Sequence, residues 1–500
     1  MSHRLISTSQ GTSQDTLTLA ECQCSSNLTI NHLPDEVLLE IFDLFQNRFT
    51  YSFYRERLFQ CFTLTHVCRK WRAIIYMSTS RLDLGITVGP GRPRHLRTIL
   101  SSPLPIFINY DLKDIYMTKS ALWRLRSALK KRNRVRGIFF CGSSAWFDEF
   151  FSVTNCTFPK LESVLLRSEY GQDVKIPETF LGGPDLSNLH LQHLALNRFP
   201  FKSISRLLLS TSTLTDLHLE IDSAFGITSP ETSLPACLQG MPFLCHLNVI
   251  ILSSIPLKYL PQPLVPDSTL KDGIVPLSKL KRFHYVGQSV FLDAIVAGLS
   301  TPALSDAKMN FHGKILCPIV HFPRFIDETK EHWRTARADF GWRCSLLLFN
   351  QSERSLFYQP EHSRLHFEFH PALEHSSESI MRMSGAFSPK LITVEELHIF
   401  VAEKIAESGI SWPKFYQHFP NVRVIRTEGM TFSCFAGTLL QDSEKHVEDL
   451  TFFPALEEIE LGVSEILKRE YPTEYELSAF DPFIFARQQA GRPIKVYTRP

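Results

Sequence analysis

Along most of the chain the apolar residues fall into one short recurring pattern, L-x-x-L-x-L or a close variant, set behind a turn and followed by a helical or irregular return. It occurs as Val135/Ile138/Phe140, Leu161/Val164/Leu166, Leu191/Leu194/Leu196, Leu214/Leu217/Leu219 and Leu244/Leu247/Val249. It continues as Leu280/Phe283/Tyr285, Leu304/Ala307/Met309, Val394/Leu397/Ile399, Val422/Ile425/Thr427 and Leu456/Ile459/Leu461. The last two positions of each group are two apart, the strand period, so they share one face and the residue between them lies on the other. So short a strand cannot bury its face alone, whereas stacked copies share a continuous core. The spacing between copies varies, which predicts an irregular α/β stack rather than a strict array. Phe158-Pro159-Lys160-Leu161, Phe419-Pro420-Asn421-Val422 and Phe453-Pro454-Ala455-Leu456 are alike enough to mark one repeated entry turn. Return helices are expected over 201–209, 291–299 and 412–418, and a first strand over 104–108. From about 310 to 390 the pattern lapses: 345–349 and 365–369 read as strands of degenerate copies, behind a helix near 322–336. A helix over 480–490, stopped by Gly491, and a strand over 494–497 close the chain.

The start has a different rhythm. Pro34 suits a first helical position, and Asp35 and Glu36 sit at the positive end of the helix dipole. Leu38, Ile41, Phe42 and Phe45 then share a face, as do Leu64, Val67, Cys68, Trp71, Ile74 and Ile75 further on, with Arg69, Lys70 and Arg72 opposite. Two or three short helices result, with more apolar surface than so small a unit hides. The segment 46–60 between them holds Phe49, Tyr51, Phe53, Tyr54 and Phe59.

Leu33-Pro34-x-Glu36-x-Leu38-x-x-Ile41-Phe42 followed by Val67-Cys68-Arg69-x-Trp71-Arg72 resembles the F-box. With Thr65-His66 ahead of the second half, the chain is similar to a large fungal family of F-box proteins with leucine-rich-repeat-like C-terminal regions. The resemblance implies the substrate-recognition subunit of an SCF-type cullin-RING ubiquitin ligase, with a Skp-family adaptor contacted by Leu33, Pro34, Val37, Leu38, Ile41, Phe42, Val67 and Trp71. The fold expected is α/β (α+β): a small three-helix F-box over 30–80, then an irregular leucine-rich-repeat-like α/β solenoid, or horseshoe, over 104–500. A flexible leader over 1–29 and a linker with a first cap over 81–103 complete the plan. The asparagine ladder of regular repeats is absent, and 46–60 is longer than the usual F-box connection.

Composition changes this picture little. Lys+Arg 53 against Asp+Glu 51 gives no overall field to attract nucleic acid or an anionic membrane. No run approaches a membrane span, and no apolar leader precedes the first helix. Eleven scattered cysteines read as free thiols of a reducing compartment, so a cytoplasmic or nuclear location is expected. Cys22 and Cys24 lack a second pair at zinc spacing, and no metal or cofactor is expected. No G-x-S-x-G, phosphate loop or H-E-x-x-H is present, which points away from an enzyme. The densest charge is Arg124, Arg126, Lys130, Lys131, Arg132, Arg134 and Arg136 around Leu122, Leu125 and Leu129. It reads as a solvated helix face leading into a strand; nucleic-acid binding or nuclear import is the alternative, and a scaffold that delivers no substrate is another.

The residues between the buried positions include Ser163, His193, Asp216, His218, His246, His284, Asp306, Lys308, Glu396, His398, Arg426, Glu458 and Glu460. This polar, His-rich column is expected to be solvated. Its members His193, His218, His246, His284, Glu396, His398, Arg426, Glu458 and Glu460 are the candidates for binding a protein target.

Overall fold

The structure is a computed structural model that describes residues 33–47, 64, 66–78, 86–89, 105–111, 118–169, 174–182, 190–222, 233–252, 274–312, 315, 319–329, 332–340, 344–350, 365–370, 373–401, 411–428, 439, 453–462 and 480–499. The leader expected over 1–29, most of the aromatic segment over 46–60 and most of the linker over 81–103 lie outside them. The chain divides into two compact units, residues 1–85 and 86–500.

In the first unit the described helices are α1 (Asp35–Asn47) and α2 (Arg69–Met77). They close a small core of Leu38, Phe42, Leu64, Trp71, Ile74 and Ile75.

The second unit is mixed α/β and dominated by parallel strand pairs. Its strands are β1 (Ile86–Val88), β2 (Ile106–Asp111), β3 (Val135–Gly142), β4 (Ser163–Ser168), β5 (His193–Asn197), β6 (Asp216–Ile221), β7 (His246–Ile251), β8 (Val275–Pro276), β9 (Arg282–Gly287), β10 (Leu299–Ser300), β11 (Asp306–His312), β12 (Thr335–Phe340), β13 (Cys344–Phe349), β14 (Leu365–His370), β15 (Glu396–Val401), β16 (Val424–Glu428), β17 (Glu458–Gly462) and β18 (Lys495–Arg499). Between them run α3 (Lys119–Leu129), α4 (Ser144–Val153), α5 (Phe201–Leu209), α6 (Leu234–Gln239), α7 (Ser289–Ala297), α8 (His321–Asp327), α9 (Leu373–Ala386), α10 (Ser388–Leu391), α11 (Trp412–Tyr416) and α12 (Asp481–Gln489). One sheet takes the order β1-β2-β3-β4-β5-β6-β7-β9-β11-β14-β13-β12-β15-β16-β17-β18, and β8 pairs with β10 apart from it.

Registration keeps every copy in phase. Leu194 lies opposite Leu217, Leu217 opposite Leu247, Leu247 opposite Phe283 and Phe283 opposite Ala307. Because the side-chain period is two, a slip of one residue would send a whole apolar set to the wrong face, so the shared core enforces the register. That core is one cluster running from Val88 to Ile494. The sequence-predicted triads are all buried, from Val135, Ile138 and Phe140 to Leu456, Ile459 and Leu461, and every member but Thr427 belongs to this cluster.

The entry turns carry a second ladder. Leu161, Val422 and Leu456 donate their amides to the carbonyls of Phe158, Phe419 and Phe453 three residues back. Leu244 and Leu304 close the same turn onto Met241 and Thr301, again with a proline second in the turn, where its fixed φ fits. After each turn one carbonyl accepts two amides of the next copy. Glu162 O takes Gln192 N at 2.8 Å and His193 N at 2.9 Å, and Gln192 O takes Thr215 N at 2.9 Å and Asp216 N at 3.0 Å.

Among the described strands of the large sheet the regular winding fails once. From β11 the chain passes over two strand positions to β12, turns back through antiparallel β13, and sets β14 beside β11; α9 and α10 then lead to β15 beside β12. This corrects two expectations. The helix placed near 322–336 ends at Asp327, and its last residues belong to β12; and the strand at 345–349 is the reversed centre of a back-winding, so it cannot be a stacked copy. No helix among the described residues is long and apolar enough to cross a membrane.

Candidate functional site

In the first unit, Leu38 and Phe42 lie one turn apart on α1 and meet α2, where Phe42 packs edge-on against Trp71 with ring centroids 4.8 Å apart. The Cys68 sulfur caps α2 by accepting the Trp71 amide at 3.4 Å. Lys70 Nζ donates to Leu33 O at 2.8 Å and lies 3.3 Å from Asp35, which ties the starts of both helices together. The expected adaptor-contact set therefore splits. Leu38, Phe42 and Trp71 are buried in the unit's own core and are corrected from surface to interior. Leu33 packs partly against that core, while Pro34, Val37, Ile41 and Val67 are exposed. Leu44, which the sequence reading did not single out, is 67% exposed, and Val37, Ile41 and Leu44 form an i, i+4, i+7 stripe.

In the second unit the face opposite the shared core carries residues in registered rows. The first reads Ser163, His193, Asp216, His246, Arg282 and Asp306 from β4 to β11. Each of His193, Asp216 and His246 follows the same bifurcated turn, and this is why the three meet. His193 Nδ1 lies 3.0 Å from Asp216 Oδ2, His246 Nδ1 contacts the other carboxylate oxygen, and Thr215 Oγ1 donates to Oδ2 at 2.7 Å. Burial alone would raise the Asp216 carboxyl; the three donors outweigh it and hold the group well below the usual carboxylate range.

The next row runs from β6 to β18: His218, Asn248, His284, Lys308, His366, Leu347, Arg337, His398, Arg426, Glu460 and Tyr497. From β6 to β14 its members are half-buried, and burial pushes the imidazoles of His218, His284 and His366 down, the last two to about 4. Beyond Leu347 the residues are drawn into a polar cluster. Arg426 Nε donates to Glu460 at 2.7 Å and its Nη1 donates to Glu396 at 2.5 Å and to His398 Nε2 at 3.1 Å. A guanidinium can only donate, so Nε2 is the acceptor and the His398 ring is neutral; burial lowers its pKa in the same sense. Two carboxylates thus share one guanidinium.

Of the target-binding candidates, His193, His218, His246, His284, Glu396 and Glu458 are half-buried on this face. His398, Arg426 and Glu460 are buried, which corrects the expectation of a solvated column there; their polar atoms face one another. Lys308 and His366 belong to the same row, although neither was among the chosen candidates. The basic segment also divides: Arg124 is buried, Arg126 pairs with Glu149 at 3.2 Å and Arg136 with Glu162 at 3.4 Å, leaving Lys130, Lys131 and Arg132 exposed at the end of α3. Among the described residues no group of three or more His, Cys, Asp or Glu is placed to hold a metal ion.

Fold and surfaces together define a mixed α/β protein with a parallel-dominated sheet and a separate helical unit at its start. No protein-family model and no curated protein matches the chain.

Proposed function

We propose that this chain is the substrate-recognition subunit of an SCF-type cullin-RING ubiquitin ligase. Its helical unit is an F-box that docks a Skp-family adaptor, and its second unit is a leucine-rich-repeat-like solenoid that holds a protein target. One observation carries the reading: Val37, Ile41, Leu44 and Val67 are exposed on a helical unit whose described core is formed by other side chains. Apolar side chains left in a stripe along a helix fit a partner's groove. The order of the two sequence halves and the in-phase stacking of the copies support the same reading. The protein carries out no bond chemistry itself. It raises the effective concentration of target lysines at the conjugating enzyme by holding target and ligase on one chain.

The test is co-purification of the tagged full-length chain with a Skp-family adaptor. Val37→Asp with Ile41→Asp removes the adaptor while circular dichroism and Tm stay unchanged, and Leu33→Ala with Pro34→Ala acts in the same direction. Full recovery of adaptor by the aspartate pair overturns the assignment.

A further inference from the structure

Polar residues facing one another across neighbouring strands ordinarily pair. The row that begins with His193, Asp216 and His246 does so, and Arg198 joins Glu220 at 3.0 Å. The adjacent stretch does not. His218, Asn248, His284, Lys308 and His366 lie in direct register on β6, β7, β9, β11 and β14, and among the described residues none of their side chains has a hydrogen-bond or ion-pair partner. The Asn248 side-chain oxygen is fully buried without a donor, a state that costs free energy unless something supplies one. At the strand spacing of about 4.8 Å these residues span about 19 Å.

We propose that Lys308, flanked in register by His284 on β9 and His366 on β14, is the centre of a binding site for a phosphate monoester. The ammonium offers three donors and each imidazole one, all from the same face of the sheet, and a tetrahedral oxyanion has acceptors enough to use them together. Of the nearest carboxylates on these strands, Asp306 and Glu368, Glu368 acts electrostatically on both His284 and His366, in the direction that favours their protonation. A single negative charge would be matched by Lys308 alone. A dianion calls for a second positive charge, and His284 or His366 supplies it by taking up a proton. Both rings are held neutral in the unliganded protein by burial and by Lys308. The charged or titratable groups around them are Arg167 from β4, His218 and Glu220 from β6, His246 from β7, Arg282 on β9, Asp306 and Lys308 from β11, and Glu368 beside His366. The site stands independently of what docks on the first unit.

Inorganic sulfate is the first probe, because it stays dianionic across the working range and any pH dependence then comes from the protein. Calorimetric titration of the full chain at constant ionic strength gives saturable binding that tightens as the pH falls from 7.5 to 5.5, by up to about tenfold per pH unit for each proton taken up. Acetate binds at least tenfold more weakly. Lys308→Met and His366→Asn each weaken sulfate at least tenfold with Tm unchanged, while Lys160→Met, on an exposed turn, leaves it as in the parent. A phosphoserine peptide and inorganic phosphate then separate the sources. Tighter binding of the peptide, absent in its unphosphorylated twin, assigns a phosphorylated protein segment, and equal affinity assigns a small phosphate ester. Sulfate binding that is pH-independent, or equal in the parent, Lys308→Met and His366→Asn proteins, or no saturable binding, overturns the site.

Discussion

On either side of the reversed strand β13, one row of the same sheet face behaves in two ways. Towards β6 it holds His218, Asn248, His284, Lys308 and His366, half-buried and without partners among the described residues. Towards β17 it holds His398, Arg426 and Glu460, buried and bound to one another and to Glu396. Histidine and cation alone do not explain the difference, since both stretches hold them, Lys308 in one and Arg337 and Arg426 in the other. Position of the carboxylates does. Glu396 and Glu460 flank Arg426 within hydrogen-bond reach, whereas Lys308 has histidines at both flanks. A buried cation between carboxylates is structural, and a cation between neutral imidazoles is open to an outside anion.

The largest break in this contrast is Arg426→Met, which strands the buried Glu460 and the half-buried Glu396 and costs about 3 kcal/mol in urea unfolding. Adding Glu396→Gln and Glu460→Gln should return more than half of that loss; if the triple variant is no more stable than Arg426→Met, charge burial is not the cause. Acid comes next. His284 and His366 bind a proton near the ordinary 6.5 when unfolded but only near 4 when folded. The unfolded chain therefore carries more protons between those values, and stability is lost as the pH falls from 6.5 to 4. Each ring accounts for up to about 3 kcal/mol, so His284→Asn should flatten the slope of unfolding free energy against pH in that window, and an unchanged slope refutes the assignment. Asp216 adds a lower window, because its depressed carboxyl stabilises above about 3.8 and that contribution fades as the pH drops through its folded value. The smallest effect belongs to Arg423, whose bidentate pair with Glu457 is fully solvated; Arg423→Ala should leave Tm within error.

The helix at 201–209 and the strand at 365–370 were legible in the chain because apolar period and length agreed there. β12 was not. Thr335-Ala336-Arg337-Ala338-Asp339-Phe340 holds two alanines and an arginine, good helix formers, at its centre, and the strand is imposed by pairing with β13 and β15. Leu38, Phe42 and Trp71 were assigned to a partner because a helical face of uniform apolar character does not announce which of its residues close on the neighbouring helix. Val37, Ile41 and Leu44 stand one position round that helix and are left outside. The entry turns that begin at Met241 and Thr301 would have been visible had proline been sought second in each turn instead of phenylalanine first, whereas those at Leu277 and Leu391 carry no proline.

By itself the sequence determined which side of the repeated strands is apolar and which polar, because that follows from a period of two read over a few neighbouring residues. Only the tertiary structure decided that β12 to β14 wind backwards, that Arg426 closes on two carboxylates, and that Lys308 stands between histidines. Those outcomes depend on which strands become neighbours, and cross-strand partners tens of residues apart leave no mark on the local pattern that forms each strand.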